Sequence, residues 1–169
     1  MRLARLRPEH RPAMLALLDR CSAASLYERF LTHAPAAGAR HVESLFTDPD
    51  CHTFVVTHKW NLIAFGSLFI TQSSAEIALF VGDEHQGQGV GTLLAEHLCA
   101  YAATQGIRQL ELTALARNHR IAKLFRRCAP TIRFDPPDAG VVTASIRLAP
   151  SGSTRVLIQH QAVHIPVAA

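Results

Sequence analysis

Residues Glu84-His85-Gln86-Gly87-Gln88-Gly89-Val90-Gly91-Thr92 lie between an apolar run with strand character, Ile77 to Val81, and an amphipathic stretch, Val90 to Thr104. A strand that feeds a helix through a glycine-rich loop points to the α/β class. Glycine at the alternate positions 87, 89 and 91 lets the backbone approach a ligand with no Cβ in the way. The loop opens directly into a helix, so free N–H groups and the positive end of the helix dipole converge on one spot. That setting favours a phosphate or pyrophosphate. The same residues also suit a tight strand-to-helix turn that holds no ligand.

The spacing separates this loop from two common nucleotide motifs. A P-loop ends in Gly-Lys-Ser/Thr, whereas Gly91 is followed by Thr92 with no lysine. A dinucleotide fold uses G-x-G-x-x-G with an acidic residue about twenty positions on. Here the pattern is G-x-G-x-G. Glu111 does lie 20 residues past Gly91, but inside the next strand, and the strand before the loop follows several others.

Composition narrows the class further. With 49% hydrophobic and 18% charged residues in 169, the chain reads as one globular domain able to bury a full core. Its longest nearly apolar run, Leu62 to Ile70, is too short for a bilayer. The basic start, Arg2 to Arg7, runs into Pro8-Glu9-His10-Arg11 where a signal peptide needs an apolar stretch. No membrane partner and a cytoplasmic location are therefore expected. The net charge is +4, but the arginines are scattered without an aromatic stacking platform, so no nucleic acid is expected either. A mildly basic surface suits an anionic cofactor. Cys21, Cys51, Cys99 and Cys128 form no C-x-x-C pair and read as free thiols. His160 and His164 are four apart in a stretch without a helical apolar pattern, so no metal site is expected.

Patterning predicts a strand over Arg2–Leu6, a helix from Pro8, and a second helix capped by Ser22 or Ser25 that runs through Phe30. A break at Pro35–Gly38 precedes a helix over Arg40–Phe46. A hairpin of Thr53–His58 and Leu62–Thr71 turns at Lys59-Trp60-Asn61. Strands Ala75–Val81 and Gln109–Leu115 flank the loop and its helix. A helix over Asn118–Cys128 and a strand pair, Thr131–Phe134 and Val141–Leu148, complete a mixed sheet with helices on both faces. The domain spans 1–149. Residues 150–169 read either as a loosely held tail or as one added strand over Arg155–Gln159.

Glu76 is the second position of interest. On a strand Glu76, Ala78 and Phe80 share one face, and Ile77, Leu79 and Val81 the other. A carboxylate in so apolar a strand needs a partner or a solvated cleft. It is either a charge at an exposed strand start, paired with an arginine, or a general base.

The pattern Gln86-x-x-Gly89-x-Gly91 resembles the acyl-CoA pyrophosphate loop of the GNAT family of N-acetyltransferases. Ala75–Val81, Gly106–Leu112 and Asn118–Phe125 resemble that family's strand before the loop, strand after the helix, and next helix. The resemblance runs over Arg2–Leu148. Ala75-Glu76-Ile77-Ala78, the Ser22-to-Phe30 stretch and Gly140-Val-Val-Thr143 are most similar to bacterial protein lysine acetyltransferases of the Pat type.

The resemblance implies a GNAT fold in which Ala75–Val81 and Gln109–Leu115 splay apart and hold acyl-CoA in the gap. It implies acetyl-CoA as co-substrate and a lysine presented by a protein as acceptor. Glu76 matches the proposed base, which takes a proton from the ammonium directly or through water. A backbone N–H near Leu79 or Phe80 would face the developing oxyanion. Val81, Gln86, Gly87, Gln88, Gly89, Val90, Gly91 and Thr92 would hold the cofactor, with Asn118 and Phe125 along its arm. Asn118 also suits a helix N-cap. Phe125 stands where many relatives carry a tyrosine acid, Gln88 where arginine is common, and Ala129-Pro130 where Gly-Phe is usual. Two other readings stay open: an acetyltransferase for a small amine, and a non-catalytic acyl-CoA-binding regulatory module.

Overall fold

Seven strands form one sheet in the order β1-β2-β3-β4-β5-β7-β6. The computed structural model describes residues 1–125 and 131–148. The strands are β1 (Arg2–Arg5), β2 (Cys51–His58), β3 (Asn61–Thr71), β4 (Ser74–Val81), β5 (Gln109–Leu115), β6 (Thr131–Phe134) and β7 (Val141–Arg147). All neighbours are antiparallel except β4 and β5. The exception follows from connectivity. β4 and β5 are joined by the loop and helix α4 (Val90–Thr104), and a crossover of that kind returns the chain parallel.

Alternation along β4 sorts its side chains onto two cores. Ala75 and Ile77 face α4 and join Leu94, Leu98 and Ala102 in one buried cluster. Phe80 faces the other side. There α1 (Arg11–Asp19) and α3 (Ala37–Thr47) bury Met14, Leu17, Val42 and Leu45 against Val55 and Phe65. The short α2 (Ala23–Phe30) lies on that same side. Ser22 caps it, with its hydroxyl accepting the Ser25 N–H at 3.2 Å. The β2–β3 hairpin turns at Lys59 and Trp60, both left-handed (φ 46° and 72°). That is the two-residue turn a twisted hairpin favours, made here without glycine.

Several boundaries shift by a few residues from expectation, and two of the shifts have a bearing on the site. α3 begins at Ala37 and takes in Gly38, which the composition of Pro35–Gly38 suggested was a break. A Cβ on Gly38 would stand 2.9 Å from Leu18 Cδ1, so this glycine serves close helix packing. α5 (Arg120–Phe125) begins two residues after Asn118, which sits in the link from β5. Cys128, Ala129-Pro130, the proposed strand Arg155–Gln159, the pair His160 and His164, and the 150–169 tail lie outside the described residues. Among the described residues no helix is long and apolar enough to cross a membrane.

Candidate active site

The parallel pair β4–β5 is joined over three rungs only: Ser74 with Gln109, Ala75 with Leu110, and Glu76 with Glu111. Past Glu76 the strands part. β4 stays paired with β3 up to Val81, and β5 stays paired with β7 up to Leu115. The central sheet therefore opens into a V. In a strand, alternate backbone groups face each neighbour, so those of Ile77–Val81 on the β5 side have no ladder partner. An extended chain carrying amides can take their place.

The glycine loop closes the wide end of this V. A single 3₁₀ turn, Asp83–His85, leads into it. Gly87 and Gly89 adopt φ of 75° and 82°, a region open to glycine and costly to other residues. A Cβ at either would meet nothing within 4 Å, so the backbone there borders open space. Gly91 differs: its Cβ would lie 3.2 Å from Leu124 Cδ1, and its role is to let α4 pack on α5. Gly89 is the N-cap of α4 and supplies no side-chain cap, and no acidic residue sits in the first turn. The helix start thus keeps donors for an anion. Val90 and Phe80 are buried, so neither offers a side chain to a ligand.

The side chains of the loop are largely engaged within the protein. Gln88 Nε2 donates to the Glu84 carbonyl at 2.7 Å. Gln86 Nε2 reaches Ser25 Oγ (3.2 Å) and the Val81 carbonyl (3.3 Å), while its Oε1 accepts from Arg120 Nη1 at 3.0 Å. Asp83 Oδ2 accepts the Ser22 N–H at 2.8 Å. Hydrogen bonds from the Ser25 hydroxyl and the Ser22 N–H hold the Asp83 carboxyl below the usual carboxylate range. Ser22 and Ser25 are therefore the fastening of α2 to the loop. Gln86 spans the mouth of the V, from the end of β4 to α5.

A cavity of about 530 Å³ opens beside this span. Ala24, Ser25 and Glu28 of α2 form one wall, and Arg117, Asn118, His119 and Arg120 the other, with Gln86 between. Its lining mixes one acid with two arginines, so it is not an acidic groove.

Glu76 sits at the narrow end of the V and is exposed. Its exposure fits a charge at an exposed strand start, and among the described residues no cation lies within 4.0 Å of it. By register Phe69, Glu76 and Glu111 point to the α2 side of the sheet. Behind them Arg29, on the last turn of α2, donates from Nη2 to His41 Nε2 at 2.8 Å and lies over the Phe30 ring. Arg29 Nε is buried without a hydrogen-bond partner among the described residues. Burial lowers the Arg29 guanidinium to about 10, opposed by the charge of Glu76. Burial and the neighbouring Arg29 charge lower His41 to about 4, so His41 is the neutral acceptor of this bond. Its ring also contacts Phe69, the direct neighbour of Glu76 in β3.

The sites expected from sequence fall into two groups. Gln86 to Thr92 and Val81 meet at the wide end, with Leu79 half-buried on the way down and Asn118 lining the cavity. Glu76 stands alone at the narrow end. Phe125 is 1% exposed, its ring in the core beneath α4. Sequence reasoning missed Arg29, His41, Arg117 and Arg120. Arg29, His41 and Arg120 enter through contacts between distant elements, and Arg117 by lining the cavity, none of which leaves a local pattern.

Residues 13–129 match the model of the acetyltransferase (GNAT) family. The GNAT domain of S. lividans PAT is similar in structure, with a TM-score of 0.76 at 24% identity, covering 86% of this chain and 89% of that one. The ribosomal-protein-S18-alanine N-acetyltransferase from Escherichia coli gives 0.66 at 21% identity, covering 90% and 97%. The PaiA N-acetyltransferase from Thermoplasma acidophilum, solved in complex with coenzyme A, gives 0.66 at 13% identity, covering 86% and 97%. No match was found among curated proteins.

Proposed function

We propose a specific activity on a premise that the family match supplies: the chain belongs to the GNAT family of acetyltransferases. In this reading it transfers the acetyl group of acetyl-CoA to lysine side chains of a protein. The observation that carries it is the V between β4 and β5, with an open glycine loop at one end and an exposed carboxylate, Glu76, at the other.

Acetyl-CoA supplies an activated thioester carbonyl, and the residues present fit it. Gly87 and Gly89 border open space, and the uncapped start of α4 offers N–H donors for phosphate. Backbone groups of β4 beyond Glu76 that lack a β5 ladder partner suit the amides of the pantetheine arm, and an N–H near Leu79 or Phe80 donates to the thioester oxygen as charge develops there. Asn118 lines the cavity beside the arm. A lysine arrives as an ammonium of pKa about 10.4 and must lose a proton before its lone pair can attack. Glu76, with no ion pair among the described residues, takes that proton directly or through water. Phe125 has no proton to give, so the departing thiolate is protonated from water. The cavity between α2 and the β5–α5 link is open and mixed in charge, which suits a lysine on a protein surface better than an enclosed small amine.

The test incubates the protein and labelled acetyl-CoA with a host-cell lysate and, separately, with polyamines, amino acids and aminoglycosides. Label on discrete proteins that disappears with Glu76→Gln is the expected result. Label confined to a small amine moves the acceptor to that class. Tight CoA binding with no transfer leaves a binding module.

A further inference from the structure

The loop that fits a polyphosphate carries no cationic lysine or arginine of its own. From Gly82 to Thr92 its ionisable side chains are Asp83, Glu84 and His85, and Gln88 is turned back onto the Glu84 carbonyl. Backbone N–H groups and a helix dipole attract an anion, but the phosphates of CoA bring several negative charges next to two carboxylates. A guanidinium adds charge–charge attraction and two-pronged geometry to its hydrogen bonds with a phosphate, so a site without a cation forgoes part of the available binding.

Such a cation is within reach. Arg120, the first residue of α5, is exposed and donates from Nη1 to Gln86 Oε1 at 3.0 Å. The bond holds a guanidinium against the loop from the far side of the V. Its partner there is a neutral amide oxygen, a weaker acceptor than a phosphate. Arg117 lies on the same wall of the cavity. We propose that Arg120 is the phosphate-contacting residue that the loop lacks: when acetyl-CoA enters, its guanidinium exchanges the Gln86 oxygen for a phosphate oxygen of CoA. This rests on the reading of the loop as an acetyl-CoA site. Both the pyrophosphate and the 3′-phosphate present this chemistry, and the two are separable by ligand.

The experiment measures by calorimetry the affinity of wild type, Arg120→Gln, Arg120→Lys and Gly89→Glu for acetyl-CoA and for 3′-dephospho-CoA. Removing a hydrogen bond to a charged group is expected to weaken acetyl-CoA binding by about ten- to a hundredfold in Arg120→Gln, with partial recovery in Arg120→Lys. The loss should shrink as salt is raised. An equal loss with 3′-dephospho-CoA assigns the contact to the pyrophosphate. A loss confined to acetyl-CoA assigns it to the 3′-phosphate. Wild-type affinity of Arg120→Gln for both ligands, with binding abolished in Gly89→Glu, overturns the role of Arg120 and leaves the loop site standing. Failure of the wild-type protein to bind either ligand removes the acetyl-CoA reading itself, and this proposal with it.

Discussion

Glu76 and Glu111 occupy the last rung at which β4 and β5 are paired, side by side on the α2 face of the sheet. Like charges directly opposite one another weaken a sheet, and neither has a described cation within 4.0 Å. Glu111 does accept from Gln109 Nε2 at 3.1 Å. An acceptor ammonium brought to Glu76 passes this second carboxylate. Glu111→Gln should therefore raise the KM for a cationic acceptor about two- to fivefold, the scale of an exposed ion pair. Acetyl-CoA affinity and thermal stability should stay at wild-type level or, for stability, rise slightly. Steady-state kinetics with both substrates varied would show it, and an unchanged acceptor KM would exclude Glu111 from acceptor recognition.

The loop glycines separate backbone conformation from ligand approach. Gly89→Ala places a methyl group in open space but imposes a left-handed φ of 82°, costing about 1 kcal/mol in stability. Gly89→Glu carries a similar conformational cost and adds a negative charge where the phosphates are proposed to sit. Calorimetry should find acetyl-CoA affinity mildly reduced in the first and lost by at least about tenfold in the second. Equal affinities in the two variants would mean that the phosphates lie elsewhere.

Gly66 tests the packing of the V against α4. A Cβ there would stand 2.7 Å from Leu98 Cδ1 and 2.8 Å from Leu79 Cδ2. Leu98 is fully buried and has little room to yield. Gly66→Ala should lower unfolding stability by about 1–3 kcal/mol in urea. Because Leu79 lies on the splayed strand, acetyl-CoA affinity should fall with it.

His41 gives the fold a pH dependence with a definite sign. Its folded-state value of about 4 lies below the ordinary 6.5, so the native state binds fewer protons than the unfolded one between those values. Its contribution is complete above pH 6.5 and is lost as pH falls toward 4. In His41→Gln the amide oxygen can still accept from Arg29, but nothing titrates there. Between pH 7.5 and 5 the wild type should lose on the order of 2 kcal/mol more than this variant in urea unfolding. Parallel pH profiles would contradict a neutral, buried His41.

The sequence was most legible where local pattern and chain punctuation agree. The bounds of α4 and β5 were read correctly because alternation changes to helical spacing at the glycine loop and back again after Gly106. Gly38 misled because a glycine beside Pro35 looks like a break, while its role is close packing against Leu18. For Glu76, alternation assigns the face but not the exposure, which depends on how far α1 and α3 extend over the sheet. Gln86 to Arg120 and Arg29 to His41 join residues 34 and 12 positions apart across different elements. Contacts of that kind arise from tertiary packing and have no spacing rule to reveal them.

The most direct test of the account is a single-turnover measurement. Protein saturated with acetyl-CoA is mixed rapidly with an acceptor that the wild type acetylates, and transfer is followed for wild type and Glu76→Gln. The account predicts equal acetyl-CoA affinity and a transfer step slower by about 10²–10⁴ in the variant, the usual loss with a general base. Equal transfer rates across pH 6–9 would contradict it and leave Glu76 as a solvated charge at the head of the V.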